Sequence, residues 1–140
     1  MNDKCFLDTN ILVYSFDEVH KAKRQKANGL IQEALKTQKG IISYQVVQEF
    51  LNIAIKKLPG RFKQDDLKDY LQAVLWPICS VYPSQELFQS ALLCHYQHRV
   101  GFYDALVIAA ASMSGCRVLY SEDLQHGQII SGVKIQNPFL

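Results

Sequence analysis

The sequence predicts an α/β fold, with a central parallel sheet of four to five short strands flanked by helices, in one domain over residues 1–140. Three observations predict it. Short apolar runs alternate with amphipathic helical stretches along the whole chain, and parallel strand pairs require such helical crossovers. A length of 140 residues suits a single core. A hydrophobic share of 49% with 20% charged residues supplies that core, and no stretch combines the low hydrophobicity and high charge of a disordered segment.

The first run, Cys5-Phe6-Leu7, reads as a buried strand whose end delivers the polar triplet Asp8-Thr9-Asn10. Ile11 to Tyr14 follows as a short helix. From about His20 to Lys36 the apolar positions Ala27, Leu30, Ile31, Ala34 and Leu35 recur at helical spacing, and Lys39-Gly40 is expected to end that helix. Ile41-Ile42 is the second strand. Ser43 is placed to cap a helix with Val46, Val47, Phe50, Leu51 and Ala54 on its buried stripe, ending at Pro59-Gly60. A further amphipathic helix covers about Gln64 to Val74, Trp76-Pro77 marks a break, and Ile78 to Val81 is the third strand.

Ser84 opens a helix through Ala91, Leu92 and Tyr96 that Gly101 is expected to close. Tyr103 to Met113 is apolar almost all round, which implies burial on several sides. Gly115 terminates it, Arg117 to Tyr120 is the fourth strand, and Val133 to Ile135 a short fifth.

A formal net charge of +2 is too mild to announce a nucleic-acid partner. Two basic clusters, Lys21, Lys23, Arg24 and Lys26, then Lys56, Lys57, Arg61 and Lys63, read first as solvated helix faces, though either could touch phosphates. Cys5, Cys79, Cys94 and Cys116 form no C-x-x-C pair and are expected to be buried thiols. Cys94, His95 and His98 lack a second ligand pair at zinc spacing. No apolar run approaches the roughly 20 residues that span a bilayer, and no signal peptide opens the chain, so a cytoplasmic location is expected.

In a parallel α/β sheet, ligands bind beyond the carboxyl ends of the strands, so the polar residues there carry the functional question. Asp8 directly follows the first strand and Asp123 follows Tyr120-Ser121-Glu122 at the end of the fourth, which puts both at one edge. Asp104 lies in the first turn of the nearly all-apolar helix. Alone it reads equally as a carboxylate favoured by the helix N-terminus. Taken together, carboxylates gathered at low dielectric repel one another, and a divalent cation removes the conflict. Mg²⁺ or Mn²⁺, bound to oxygens and water, would activate water and stabilise phosphate charge in an in-line displacement.

Glu49 shares a polar stripe with Gln45, Asn52 and Lys56, which by itself describes an ordinary surface glutamate. Asn10 and Ser121 are candidates to support Asp8 or Asp123 by hydrogen bonding, and Glu122 is either a peripheral ligand or an exposed neighbour.

Asp8-Thr9-Asn10, Glu49 in Gln48-Glu49-Phe50, Asp104 in Phe102-Tyr103-Asp104-Ala105-Leu106, and Ser121-Glu122-Asp123-Leu124 occur in that order along the chain. In this set the sequence resembles the PIN domain family, specifically the VapC-like toxins of toxin–antitoxin systems. The resemblance implies a three-layer α/β sandwich and Mg²⁺- or Mn²⁺-dependent endonucleolytic cleavage of RNA. It implies catalytic and metal-binding roles for Asp8, Glu49, Asp104 and Asp123, with Glu49 as a direct or supporting carboxylate. It also implies a homodimer and a small antitoxin whose C-terminal segment packs over the groove. Lys21, Lys23, Arg24 or Arg99 would flank the RNA, with unstacked bases resting on exposed aromatics.

Two other functions fit parts of the pattern. An aspartate-nucleophile phosphatase of the haloacid dehalogenase type also places an Asp at the end of its first strand, but Asn10 stands where its second Asp is expected. A degenerate PIN-like module would bind RNA or protein without cleaving.

Overall fold

The computed structural model describes residues 3–58 and 60–140. Its sheet joins six strands in the order β3-β2-β1-β4-β6-β5. These are β1 (Lys4–Leu7), β2 (Gly40–Ser43), β3 (Cys79–Val81), β4 (Cys116–Tyr120), β5 (Ile129–Ile130) and β6 (Val133–Gln136). All neighbouring pairs are parallel except β5 with β6, which run antiparallel. The five expected strands are present. The sixth, β5, has only two residues, too few to leave a periodic signal.

The helices are α1 (Thr9–Tyr14), α2 (Lys21–Thr37), α3 (Tyr44–Lys57), α4 (Gln64–Tyr70), α5 (Trp76–Ile78), α6 (Gln85–His98) and α7 (Phe102–Met113). They flank the sheet. Phe6, Leu7, Ile42 and Leu119 on the central strands are fully buried, and so are Ile11, Leu12, Val46, Phe50, Ala91, Ala105 and Ile108 on the helices around them. At about 25 cal/mol per Å² of apolar surface removed from water, these side chains are the main stabilising contribution.

Ser43 and Ser84 cap α3 and α6 as their positions suggest, accepting from the N–H groups of Val46 and Leu87 at 3.4 and 3.0 Å. α1 begins at Thr9, earlier than its apolar run, because Asp8 is extended and accepts from the Thr9 N–H at 2.8 Å.

Two expected stops are relocated. α2 ends at Gln38, which adopts a left-handed conformation and returns its N–H to the Ala34 carbonyl. Gly40 instead starts β2, where its missing Cβ lets Ala34 pack against the strand: an added Cβ would stand 2.3 Å from Ala34 Cβ. α6 ends at left-handed Arg99, and Gly101 becomes the N-cap of α7. Pro59 lies outside the described residues, so the expected Pro59-Gly60 stop is seen only in Gly60, at φ +81°.

The break expected at Trp76-Pro77 does not occur. The helix widens into a π-helical turn at Leu71–Leu75, Trp76 donates to the Leu71 carbonyl, and the chain stays helical through Ile78. Proline has no N–H and its ring clashes with the carbonyl one turn back, so a wider turn accommodates Pro77 without ending the helix. The third strand therefore begins at Cys79 rather than at Ile78.

Cys79, Cys94 and Cys116 are buried, Cys5 is half-buried, and all four are free thiols. No described helix is long and apolar enough to cross a membrane.

Candidate active site

The sheet order reverses between β1 and β4: β2 and β3 lie to one side of β1, while β4 and β6 lie to the other. A crevice opens where two connections leave such a switch point in opposite directions. Leu7 pairs with Tyr120 at the ends of the two strands, and the Asp8 N–H donates to the Tyr120 carbonyl at 3.0 Å. A cavity of about 830 Å³ occupies this position, lined by Asp8, Glu49, Asp104 and Asp123 among others. The structure thus gathers the four carboxylates from the junction of β1 with α1, from α3, from α7 and from the segment after β4.

Asp8 is nearly buried, and both of its oxygens accept hydrogen bonds, Oδ1 from the Thr9 N–H at 2.8 Å and Oδ2 from the Ser121 hydroxyl at 2.8 Å. Burial pushes its carboxyl up to about 6. The charges of Asp123 and Glu49 add to burial, while the bonds from Ser121 and Thr9 oppose it. Asp104 is also raised, first by burial and then by the charge of Asp123. It lies in the first turn of α7, where the helix N-terminus favours its charge, and it also faces the cavity.

Ser121 is fully buried behind Asp8 and also accepts from the Asp123 N–H at 3.2 Å. Asn10 bridges the same segment, donating from Nδ2 to Asp123 Oδ2 at 3.0 Å and accepting from the Glu122 N–H at 3.4 Å. Glu49 accepts from the Thr9 hydroxyl at 3.0 Å and from Gln45 at 3.4 Å. Sequence periodicity did not single out Thr9 or Gln45. Thr9 had one signal, its place inside the polar triplet after β1; Gln45 had only its spacing one helical turn before Glu49.

Seven carboxylates line the cavity. Asp17 takes up the His20 ring and the N–H groups of Val19 and His20, Glu18 pairs with Arg61, and Glu122 pairs with Lys23 at 2.8 Å. That leaves Asp8, Glu49, Asp104 and Asp123 without an ion pair among the described residues, all four lining the same cleft. Glu122 is thereby resolved as an engaged neighbour. Burial works to raise its carboxyl, but Lys23 and Tyr14 outweigh burial and hold it below the usual range.

Among the described residues no three carboxylate, histidine or cysteine side chains stand close enough together, as placed, to hold a metal ion. The four unpaired carboxylates stand around the cleft instead. Their all-oxygen donor set suits Mg²⁺ or Mn²⁺, which retain several waters and take few protein carboxylates.

The basic residues are placed less uniformly. Lys21, Arg24 and Arg99 are not in the cavity lining, and Lys23 is occupied by Glu122. Lys57 and Arg61, from the second basic cluster, do line it.

A family model described as PIN domain matches residues 5–129. Among solved structures, a toxin–antitoxin complex from Klebsiella pneumoniae is similar in fold, with a TM-score of 0.69 and 20% identity over 96% of this chain and 98% of that one. VapBC2 from Rickettsia felis, bound to a DNA fragment from their promoter, gives a TM-score of 0.67 and 16% identity over 94% and 96%. No curated protein sequence matches the chain significantly.

Proposed function

The chain belongs to the PIN domain family, and from that premise we propose that it is a metal-dependent endoribonuclease, the toxin of a toxin–antitoxin pair. The observation that carries this reading is the set of four carboxylates without cationic partners in one cleft at the switch point of the sheet. Such a set is costly unless a cation is shared among them.

Asp8, Asp104 and Asp123 would hold Mg²⁺ or Mn²⁺, with Glu49 either joining them or orienting a water. The bound ion supplies Lewis-acid polarisation of the phosphate and a more acidic water. Ser121 and the Thr9 N–H favour the charged form of Asp8, the form a metal ligand needs. Asn10 orients Asp123 from its Oδ2 side. Tyr103, exposed at the edge of the same cleft, offers a face on which an unpaired base can stack, and Lys57 offers a charge for the phosphate backbone. Single-stranded RNA fits these features.

The two structural neighbours are toxin–antitoxin complexes, which supports an antitoxin partner; that its C-terminal segment packs over the cleft is what the family resemblance implies. Phe88, Leu92 and Tyr96, four residues apart, form an exposed apolar stripe on α6. That stripe supports a homodimer.

The phosphatase reading is not favoured, because Asn10 stands where its second Asp is expected, and the Asn10 side chain is engaged by Asp123 and the Glu122 N–H. RNA cleavage with and without Mg²⁺ or Mn²⁺, compared with Asp104→Asn, tests the proposal. Cleavage is expected only with metal, and a loss of at least about 100-fold in the variant. Full activity in Asp104→Asn overturns the metal role. A covalent phosphate on Asp8 moves the assignment to phosphoryl transfer.

A further inference from the structure

Beyond Tyr120 the chain leaves β4 as a bend, and the Ser121 N–H makes the last sheet-like bond, to the Gln136 carbonyl at 3.0 Å. Asp123 therefore owes its place in the cleft to side-chain bonds rather than to the strand. We propose that Tyr14, Lys23 and Glu122 form a clasp that fixes this segment and sets where Asp123 stands, which makes all three positioning residues for the acidic site. The inference rests on the reading of the cleft as a metal site.

Glu122 lines the acidic cleft, yet both of its oxygens are taken. The Tyr14 hydroxyl donates to Oε1 at 2.5 Å and Lys23 Nζ to Oε2 at 2.8 Å, and Lys23 also reaches the Tyr14 oxygen at 3.3 Å. Tyr14 is the last residue of α1, the helix that Asp8 caps, and Lys23 lies in the first turn of α2. One carboxylate thus joins three separate elements.

Lys23 Nζ stands 4.6 Å from the centre of the Tyr14 ring and 5.6 Å from that of Phe139, and Phe139 meets Tyr14 edge-on at 4.8 Å. The rings cover the ion pair from one side. An exposed pair contributes little, but partial desolvation and a shared phenol strengthen this one. The connection then runs on to Asp123. The Glu122 N–H bonds Asn10 Oδ1, and the same amide holds Asp123 Oδ2. Releasing Glu122 loosens one end of the bridge that orients Asp123.

Position and charge make opposite demands. Removing Lys23 deletes a positive charge close to a cation site, which by Coulomb's law alone tightens divalent cation binding. Losing the clasp weakens it.

The test compares the full chain with Lys23→Met, Lys23→Arg and Tyr14→Phe. Two readouts are hydrogen exchange of the 121–124 amides and calorimetric titration with Mn²⁺, with thermal unfolding as a check that each variant is folded. In Lys23→Met the amides are expected to exchange about ten-fold faster, and Mn²⁺ to bind about ten-fold more weakly, at the lower end of what groups supporting metal ligands contribute. Tyr14→Phe is expected to move both readouts the same way and Lys23→Arg to restore them. Unchanged exchange in folded Lys23→Met overturns the clasp, and unchanged or tighter Mn²⁺ binding overturns its positioning role. If the unsubstituted chain binds no Mn²⁺ while exchange still accelerates in Lys23→Met, the clasp stands and the metal reading falls.

Discussion

Ser121 donates its hydroxyl to Asp8 Oδ2 across 2.8 Å from a fully buried position, so the ends of β4 and β1 share a hydrogen bond behind the acidic cleft. This bond favours the charged form of Asp8 against burial.

Replacing Ser121 by Ala is expected to raise the Asp8 carboxyl further and so shift metal binding to higher pH. A hydrogen bond to a charged group contributes about 1.5–3 kcal/mol, so apparent Mn²⁺ affinity near pH 6 falls by about ten-fold or more. Since that energy is about 1–2 pKa units, the difference shrinks by about pH 9, where Asp8 is largely ionised in either protein. Titrations at both pH values check this; an equal loss at both would mean that Ser121 acts through packing alone.

Asp8 also sets a pH dependence of stability. Its carboxyl titrates near 3.8 in an unperturbed chain and at about 6 when folded. Between those values the folded protein keeps a proton that the unfolded chain has released. Stability of the metal-free protein therefore falls as pH rises through this window, by up to about 3 kcal/mol, and levels off above it. Asp8→Asn carries no such charge. Near neutral pH it is expected to be about 1–2 kcal/mol more stable than the unsubstituted protein while losing cleavage, with the gap closing towards about pH 4. Urea unfolding with a chelator present measures it, and a less stable variant near pH 7 would contradict the burial argument.

Two glycines of similar sequence context are expected to respond in opposite directions. An alanine at Gly40 would meet Ala34 Cβ at 2.3 Å and Ala34 Cα at 2.9 Å, forcing α2 away from β2. Gly40→Ala should cost about 1–3 kcal/mol. Gly29 lies inside α2 with nothing near its missing Cβ. Gly29→Ala should gain about 0.5–1 kcal/mol. Thermal unfolding of both variants decides the matter.

The apolar stripe of Phe88, Leu92 and Tyr96 gives a fourth expectation. Leu92→Glu places a charge in the middle of it, which should halve the solution mass measured by light scattering without altering the unfolding of the isolated chain. A monomeric parent protein would refute the dimer at once.

Much of the fold was legible because its signals are local. The strand at Cys5-Phe6-Leu7, the caps at Ser43 and Ser84 and the buried helix that stops before Gly115 depend on neighbours within a few residues. Pro77 and Gly101 misled for the converse reason. Whether a proline breaks a helix or is absorbed by a π turn, and whether a glycine ends one helix or begins the next, depends on the packing of the flanking turns.

The sequence by itself determined that this is a parallel α/β domain and that Asp8 and Asp123 follow strands at one edge, because hydrophobic periodicity dictates which face is buried and where each strand ends. Only the tertiary structure decided which carboxylates act together. Glu49 lies 40 positions from Thr9 and Glu122 lies 99 from Lys23, yet each is within hydrogen-bond reach. Pairing across such separations depends on how the strands are ordered. That order left Glu122 neutralised by Lys23, and Asp8, Glu49, Asp104 and Asp123 without a cation among the described residues.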